Sequence, residues 1–157
     1  MAEVTPELIA RLNDIKGLIY RYAGNLSLSG ITTRIITENT YNSEPEKLFY
    51  WVQKNIAYKN DLKFAHKLIS PMETIEKARI GVDCENHTIL LGAMLKSRNW
   101  PIRFKVTATE RPDKFDHIYL MVGYPKLHPV SWVPTDTTIK EPFGSEPLVL
   151  DSYIMEV

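Results

Sequence analysis

The chain has 157 residues, of which 44% are hydrophobic and 24% are charged, the balance of a globular domain large enough to bury a core. Nineteen basic residues match nineteen acidic ones, so the formal net charge is zero. A neutral chain has no electrostatic attraction for nucleic acid or an anionic membrane, and we predict neither as a partner. The N-terminus shows no signal-peptide core or membrane span. A single cysteine excludes an internal disulfide. We therefore expect a cytoplasmic protein.

Helices dominate the prediction for the N-terminal part of the chain. Thr5-Pro6-Glu7 combines the cap, proline and acid of a helix start, and this helix is expected to end near Gly24. Its apolar face recurs every three or four residues and consists of Leu8, Leu12, Ile15, Ile19 and Tyr22. Ser43-Glu44-Pro45-Glu46 begins a second helix, whose predicted buried side is Leu48, Phe49, Trp51, Val52 and Ile56. Residues 26–41 give no clear prediction, and residues 59–69 predict a solvated loop.

Two further helices precede a predicted sheet. A short helix begins at Ser70 and ends near Arg79, and a strongly apolar one runs from about Cys84 to Ser97. The hydrophobic period then changes from 3.6 to 2. The predicted strands are residues 102–108, 115–122 and 131–136, followed by an edge strand over 148–154. Helices followed by an antiparallel sheet predict an α+β fold, with a helix that carries Cys84 packed on the sheet.

The only cysteine lies at the start of the apolar helix. Gly81 is a helix breaker and Asp83 a capping residue, so Cys84 is expected in the first helical turn. Unpaired backbone N–H groups and the positive end of the helix dipole favour an anion there. A thiolate is such an anion, and a neighbouring histidine stabilises it further. The same N–H groups could bind the oxyanion of an acyl-transfer reaction.

A histidine and a carboxylate on neighbouring strands could complete this arrangement. His117 lies in the second predicted strand and Asp136 at the end of the third. Adjacent antiparallel strands can place the two side by side, and a helix packed across the sheet can direct Cys84 to the same point. An imidazole can hold the proton of the thiol, while a carboxylate on its other nitrogen fixes its orientation. Taken singly, each of the three residues is more typical of a structural role.

Several other residues are weaker candidates. His87 is near Cys84 on the same helix, but it would have to reach back along that helix to act as the base. Asp116 adjoins His117 in a strand and must point to the opposite face. His128 lies in the predicted hairpin loop of residues 123–129, where a surface role is expected. Cys84 and His87 alone are too few ligands for a metal site, and we predict no metal or cofactor.

Four motifs in order resemble those of the transglutaminase-like superfamily. The Cys84 segment from Gly81 to Leu95 resembles that family's nucleophile helix, Gly-Asp-Cys-Asp-Asp followed by paired leucines. Trp100-Pro101-Ile102-Arg103 resembles its Gly-Ile-Pro-Ala-Arg strand start, and Asp116-His117-Ile118-Tyr119-Leu120 resembles its histidine strand. The segment Trp132–Thr138 resembles its acid motif, Trp-x-Pro-x-Asp-Pro-Thr. The resemblance covers about Pro71 to Thr138 and departs from the pattern at Val82, Asn86 and Thr137.

The resemblance implies a papain-like α+β fold and a catalytic triad of Cys84, His117 and Asp136. It implies a single domain over residues 1–157, with an N-terminal helical extension (1–42), a catalytic core (43–138) and a tail (139–157). Members include peptidases, amidases, deamidases and protein crosslinkers, so the expected partner is a protein or peptide substrate. The side chain of an oxyanion hole is not evident; Tyr58 and Trp51 are the two suggestions. The oligomeric state stays open.

Two functions follow as expectations. The first is cysteine-dependent acyl transfer on amide bonds through a thioester. The second is a non-catalytic binding or assembly module on the same fold, in which the apolar face of the first helix either docks a partner or packs on its own domain. The compact length and the tail with Gly144 also resemble bacteriophage-encoded members, which would allow association with a virion.

Overall fold

A computed structural model describes residues 1–60 and 67–157 of the chain. Five helices precede four strands along these residues, and the α+β prediction is confirmed. The helices are α1 (Pro6–Ala23), α2 (Leu26–Glu38), α3 (Glu44–Asn55), α4 (Pro71–Glu76) and α5 (Cys84–Ser97). The strands are β1 (Ile102–Ala108), β2 (His117–Tyr124), β3 (Ser131–Thr135) and β4 (Asp151–Glu156). In this part of the chain, no helix is both long and apolar enough to cross a bilayer.

Each helix begins at a residue whose side chain accepts a hydrogen bond from a backbone N–H of the first turn. These capping residues are Thr5, Asn25, Ser43, Ser70 and Asp83. Such caps satisfy N–H groups that have no partner within the helix, which is why the predicted helix starts agree with the structure. The short α4 ends at Glu76, earlier than predicted, and a turn follows it.

Helix α2 occupies the segment for which the sequence gave no clear indication. Serine, glycine and threonine are abundant there and have low helix propensity. Leu28, Thr32 and Ile35 are nevertheless spaced by four and three residues and are all buried. The buried Thr32 hydroxyl donates to the backbone oxygen of Leu28 at 2.8 Å, so its burial leaves no polar group unsatisfied. Packing against α3 and α5 therefore outweighs propensity in this segment.

The four strands form an antiparallel sheet in the order β3-β2-β1-β4. β1 pairs with β2 from Ile102–Val122 to Thr107–His117, and β2 pairs with β3 up to Leu120–Thr135. β4 is an edge strand as predicted, although it begins at Asp151 rather than at residue 148. This register brings the start of β2 and the residues just after β3 to one corner of the sheet, which is where His117 and Asp136 lie.

Helix α5 lies between α1 and the sheet and is buried from Cys84 to Leu95. Its approach to α1 is close, because a methyl group at Gly92 would lie 2.6 Å from Cδ1 of the buried Ile19. Arg11 of α1 also forms a bidentate ion pair with the buried Glu85 of α5, with Nη2–Oε1 at 2.8 Å and Nε–Oε2 at 2.9 Å. Leu12, Ile15 and Ile19 of the apolar face of α1 are buried in the protein's own domain, which favours packing over docking for that face.

Two smaller predictions, the burial of Trp51 and the loop over residues 59–69, agree with the structure only in part. Trp51 was expected on the buried side of α3, but it is only partly buried, unlike Leu48, Phe49 and Val52. Of the predicted loop over residues 59–69, positions 61–66 lie outside the described residues. Lys59 and Lys67 are exposed as expected, whereas Ile69 is buried in the core.

Candidate active site

Cys84 is the first residue of α5, as the sequence predicts. The Asp83 carboxylate accepts the backbone N–H of Asn86 at 3.0 Å, which fixes the first turn. Gly81 has a φ of 98°, a conformation that favours glycine, and it turns the chain into Val82. Val82, the additional residue in this motif, forms a parallel β-bridge with Tyr58. The bridge holds the chain before Cys84 against the segment that follows α3. Cys84 itself is buried, with 9% of its surface exposed.

His117 and Asp136 lie side by side at the corner of the sheet. Nε2 of His117 is 2.7 Å from Oδ2 of Asp136, and the Asp136 side chain is fully buried. The other carboxylate oxygen accepts the Thr138 hydroxyl at 2.6 Å and the Thr138 backbone N–H at 3.0 Å. Asp136 therefore has a fixed orientation, and Nδ1 of His117 remains for a second partner.

Cys84 and Asp136 line one small cavity, so the thiol lies at the same corner of the sheet. Burial alone would lower the pKa of His117, but hydrogen bonds to Asp136 and Cys84, together with the negative charges of both, raise it to about 10. Burial acts to raise the pKa of Asp136, yet the hydrogen bonds and charge of His117 and the bonds from Thr138 hold it below its ordinary value. The surroundings of His117 therefore favour the protonated form of its imidazole.

The weaker candidates have other partners in the structure. Nδ1 of His87 is 2.8 Å from the Thr137 hydroxyl, and its Nε2 is 3.2 Å from the backbone oxygen of Ala57. Both ring nitrogens are therefore used, and burial lowers the pKa of this histidine. Asp116 accepts the backbone N–H groups of Thr109 and Glu110 at the β1–β2 turn. His128 is exposed in the loop between β2 and β3.

Two departures from the family's pattern, Asn86 in place of an acid and Thr137 in place of a proline, have structural roles here. The side-chain oxygen of Asn86 accepts the Ile69 backbone N–H at 3.0 Å and so holds the chain before α4 against α5. Thr137 is the partner of His87. Sequence reasoning missed the role of Thr138 as a support for Asp136. The signal was present, because an aspartate readily bonds the backbone N–H two residues later.

Of the two residues suggested for an oxyanion hole, Tyr58 lies near the site. It lines the same cleft as His117 and is 40% exposed. Burial of its hydroxyl, followed by the negative charges of Cys84 and Asp136, raises the pKa of Tyr58 to about 12. The hydroxyl therefore remains a hydrogen-bond donor at neutral pH. Trp51 instead packs on the hydrophobic core from α3.

A cleft of about 340 Å³ opens beside His117. One wall is the β1–β2 turn with Phe115, and the other is the tail with Ile139, Pro147 and Leu148; Tyr58 also lines it. This volume is at the lower end of the range for ligand sites. Through this cleft, the corner of the sheet that carries His117 is open to solvent.

Comparison with known proteins identifies the family of this chain. Residues 28–137 match the sequence profile of the transglutaminase-like superfamily. This match covers more than half of the chain, and the protein belongs to that superfamily.

Among solved structures, a candidate cysteine protease from Cytophaga hutchinsonii is similar, with a TM-score of 0.56 and 18% sequence identity. The similarity covers 80% of this chain and 42% of the other, so this chain spans about two fifths of that protein's length. At this identity the likeness concerns the fold. No curated protein matches the sequence.

Proposed function

We propose that this protein catalyses acyl transfer on amide bonds, with Cys84 as nucleophile, His117 as general base and acid, and Asp136 as the residue that orients His117. The observation that carries the proposal is the 2.7 Å contact between His117 and the buried Asp136, at the corner of the sheet where Asp136 and Cys84 line one small cavity. Membership of the transglutaminase-like superfamily supports a cysteine enzyme of this kind.

In the first half of the reaction, the sulfur of Cys84 attacks the amide carbonyl carbon and its proton resides on Nδ1 of His117. The carbonyl oxygen becomes an oxyanion, for which the backbone N–H of Cys84 and the Tyr58 hydroxyl are the proposed donors. The carbon–nitrogen bond then breaks, and His117 gives its proton to the leaving amine. A thioester on Cys84 remains.

In the second half, an acceptor attacks the thioester while His117 takes its proton. Water yields a carboxylic acid, the outcome of a peptidase, amidase or deamidase. An amine yields a new amide, the outcome of a crosslinking enzyme. The carbon–sulfur bond breaks and the thiol regains its proton from His117, so the enzyme is unchanged. A protein or peptide is the proposed substrate in either case.

The test is turnover with model amides. Benzyloxycarbonyl-glutaminyl-glycine with hydroxylamine reports transfer from a side-chain amide, and peptide anilides report backbone cleavage. We expect turnover by the wild type and none by Cys84→Ala, with the circular dichroism spectrum and the melting temperature preserved. A Cys84→Ala variant as active as the wild type would refute the proposal.

The assembly-module alternative makes the opposite prediction, namely a folded protein whose Cys84 is inert. A bacteriophage origin and association with a virion stay predictions from the sequence resemblance, as does the division into extension, core and tail.

A further inference from the structure

We infer that the cleft beside His117 binds a bulky, uncharged apolar side chain of a peptide or protein substrate, and that the tail after residue 138 gives the chain this preference. The inference rests on the proposed function, because the cleft is assigned to the substrate by its opening at His117. It goes further by naming the class of substrate and the segment that selects it.

Apolar side chains line the cleft mainly on the side of the tail and face Phe115 of the β1–β2 turn. Phe115 contributes from the β1–β2 turn, and Ile139, Pro147 and Leu148 contribute from the tail. Leu148 is 79% exposed, so a large apolar side chain is held open to solvent at the cleft. Covering such surface with an apolar group removes it from water, which favours binding. A leucine, phenylalanine or similar side chain supplies that group and fits within about 340 Å³.

The charges around the cleft do not select a charged ligand. The Asp116 carboxylate is used by the turn, where it accepts the Thr109 hydroxyl at 2.7 Å and two backbone N–H groups. Arg111 is neutralised by Asp113 through contacts of 3.0 and 2.6 Å. His117 is paired with Asp136 at 2.7 Å, and the remaining charged residues that line the cleft, Glu110 and Lys114, have opposite signs. The side chain that enters is therefore expected to be uncharged.

The tail wall is fixed in place before any ligand binds. The Gln53 side chain donates to the backbone oxygens of Ile139 and Glu141 at 2.7 and 2.8 Å. Phe143 lies edge-on to Phe49, and its N–H donates to the Tyr50 hydroxyl at 2.9 Å. A wall anchored in this way is preorganised, so little ordering entropy is lost on binding.

The anchoring continues to the start of β4. Glu146 accepts the Tyr119 hydroxyl at 2.5 Å and also pairs with Lys105. The Leu150 N–H donates to the Ala108 backbone oxygen at 2.8 Å. Ile139, Pro147 and Leu148 all lie beyond residue 137, where the match to the family ends. The apolar wall is therefore built by a segment outside the matched region, as expected for a specificity element placed on a shared catalytic fold.

The first experiment measures binding without chemistry. The ¹⁵N-labelled protein is titrated with N-acetyl-phenylalanine amide and, separately, with N-acetyl-lysine amide. We expect saturable shifts of the amide signals of Phe115, Ile139 and Leu148 with the phenylalanine compound, and at least about tenfold weaker binding of the lysine compound. Equal binding of the two, or no shifts at these residues, would overturn the inference.

A matched pair of variants locates the effect. Leu148→Asp places a charge in the cleft, whereas Leu127→Asp alters an equally exposed leucine (85%) in the loop between β2 and β3. Both positions are on the surface, so folding should be unaffected. We expect Leu148→Asp to abolish binding of the phenylalanine compound and Leu127→Asp to leave it unchanged. Loss of binding in both variants, or in neither, would contradict the assignment.

A second measurement separates this inference from the proposed function. Cys84 is alkylated with iodoacetyl-phenylalanine amide and with iodoacetyl-glycine amide, and the ratio of the two rate constants is taken. We expect a ratio of at least about ten in the wild type and Leu127→Asp, and near one in Leu148→Asp. A wild-type ratio near one refutes the apolar subsite. An inert Cys84 in a protein that still binds the phenylalanine compound refutes the proposed catalysis alone.

Discussion

The side chain of His87 links the Cys84 helix to the segment that carries Asp136, through a contact of 2.8 Å between its Nδ1 and the Thr137 hydroxyl. Its Nε2 lies 3.2 Å from the backbone oxygen of Ala57. An N–H on Nε2 and an acceptor at Nδ1 satisfy all three groups with a neutral ring. A histidine three residues after the cysteine thus has a structural role, which is consistent with His117 as the proposed base.

This relationship predicts a loss of stability in mild acid. Burial lowers the pKa of His87 in the folded protein, whereas the unfolded chain binds the proton near pH 6.5. The unfolded state therefore holds more protons as the pH falls below 6.5, and the free energy of unfolding decreases. Urea denaturation at pH 7.5, 6.5 and 5.5 measures this. His87→Gln, which can keep both hydrogen bonds, should show a smaller decrease.

The other groups of the site with shifted pKa values do not interfere between pH 6.5 and 5.5, and Tyr58, with a raised pKa of about 12, stays protonated throughout. His117 has a raised pKa of about 10, so its contribution is fully present below pH 6.5 and is lost as the pH rises through 10. The pKa of Asp136 is lowered, so its contribution is lost only as the pH falls below about 4. An identical decrease in the wild type and His87→Gln between pH 6.5 and 5.5 would contradict the role given to His87.

Replacement of Asp136 should change the titration of His117. Its hydrogen bond and its charge both raise the pKa of the imidazole, so Asp136→Asn should move that pKa downward from about 10. The ring signals of His117, followed by NMR from pH 5 to 11, measure the shift. An unchanged titration would mean that Asp136 does not act on His117. Turnover should fall less in Asp136→Asn than in His117→Ala, for which a loss of roughly 10²–10⁴-fold is expected.

Tyr58→Phe should slow acylation without changing alkylation. The variant removes a proposed oxyanion donor, a change that costs on the order of 10²–10³-fold when the donor is used. Pre-steady-state release of p-nitrophenol from p-nitrophenyl acetate measures acylation of Cys84. Alkylation by iodoacetamide forms no oxyanion and serves as the internal control. Trp51→Phe is the matched aromatic variant and should leave both rates unchanged; equal slowing in both variants would argue against Tyr58.

Two helical glycines should respond to alanine in opposite directions. A methyl group at Gly92 would lie 2.6 Å from Cδ1 of the buried Ile19, whereas nothing lies within 4 Å of one at Gly17. Gly92→Ala should therefore lower the free energy of unfolding by about 1–3 kcal/mol. Gly17→Ala should raise it by about 0.5–1 kcal/mol through helix propensity. Chemical denaturation measures both, and partial recovery of Gly92→Ala by Ile19→Val would place the strain between α1 and α5.

The parts of the fold that the sequence predicts well have strong local signals. Asp83, the apolar run after Cys84 and the stop at Asn99 define α5, and strict alternation from Ile102 defines β1. The neighbouring strands of His117 and Asp136 follow from the same periodicity. Helix α2 could not be predicted in this way, because its stability comes from packing rather than from its weak helix formers.

The features that depend on distant contacts are invisible in a local pattern. Glu146 bonds Tyr119 and Lys105 across long stretches of chain, and the cleft exists only because the tail returns to the β1–β2 turn. The role of His87 likewise depends on Ala57 and Thr137, which are far from it in sequence. The sequence can propose which residue types converge, but only the fold shows which of them have other partners.

The most direct test of the account is the rate at which iodoacetamide alkylates Cys84 across pH, in the wild type and in His117→Ala. The single cysteine makes the signal unambiguous. An assembled thiolate–imidazolium pair predicts rapid alkylation well below pH 8.5, where an ordinary thiol is still protonated, and a shift of the profile to higher pH in His117→Ala. Superimposable profiles, or a thiol that reacts only after unfolding, would contradict the account.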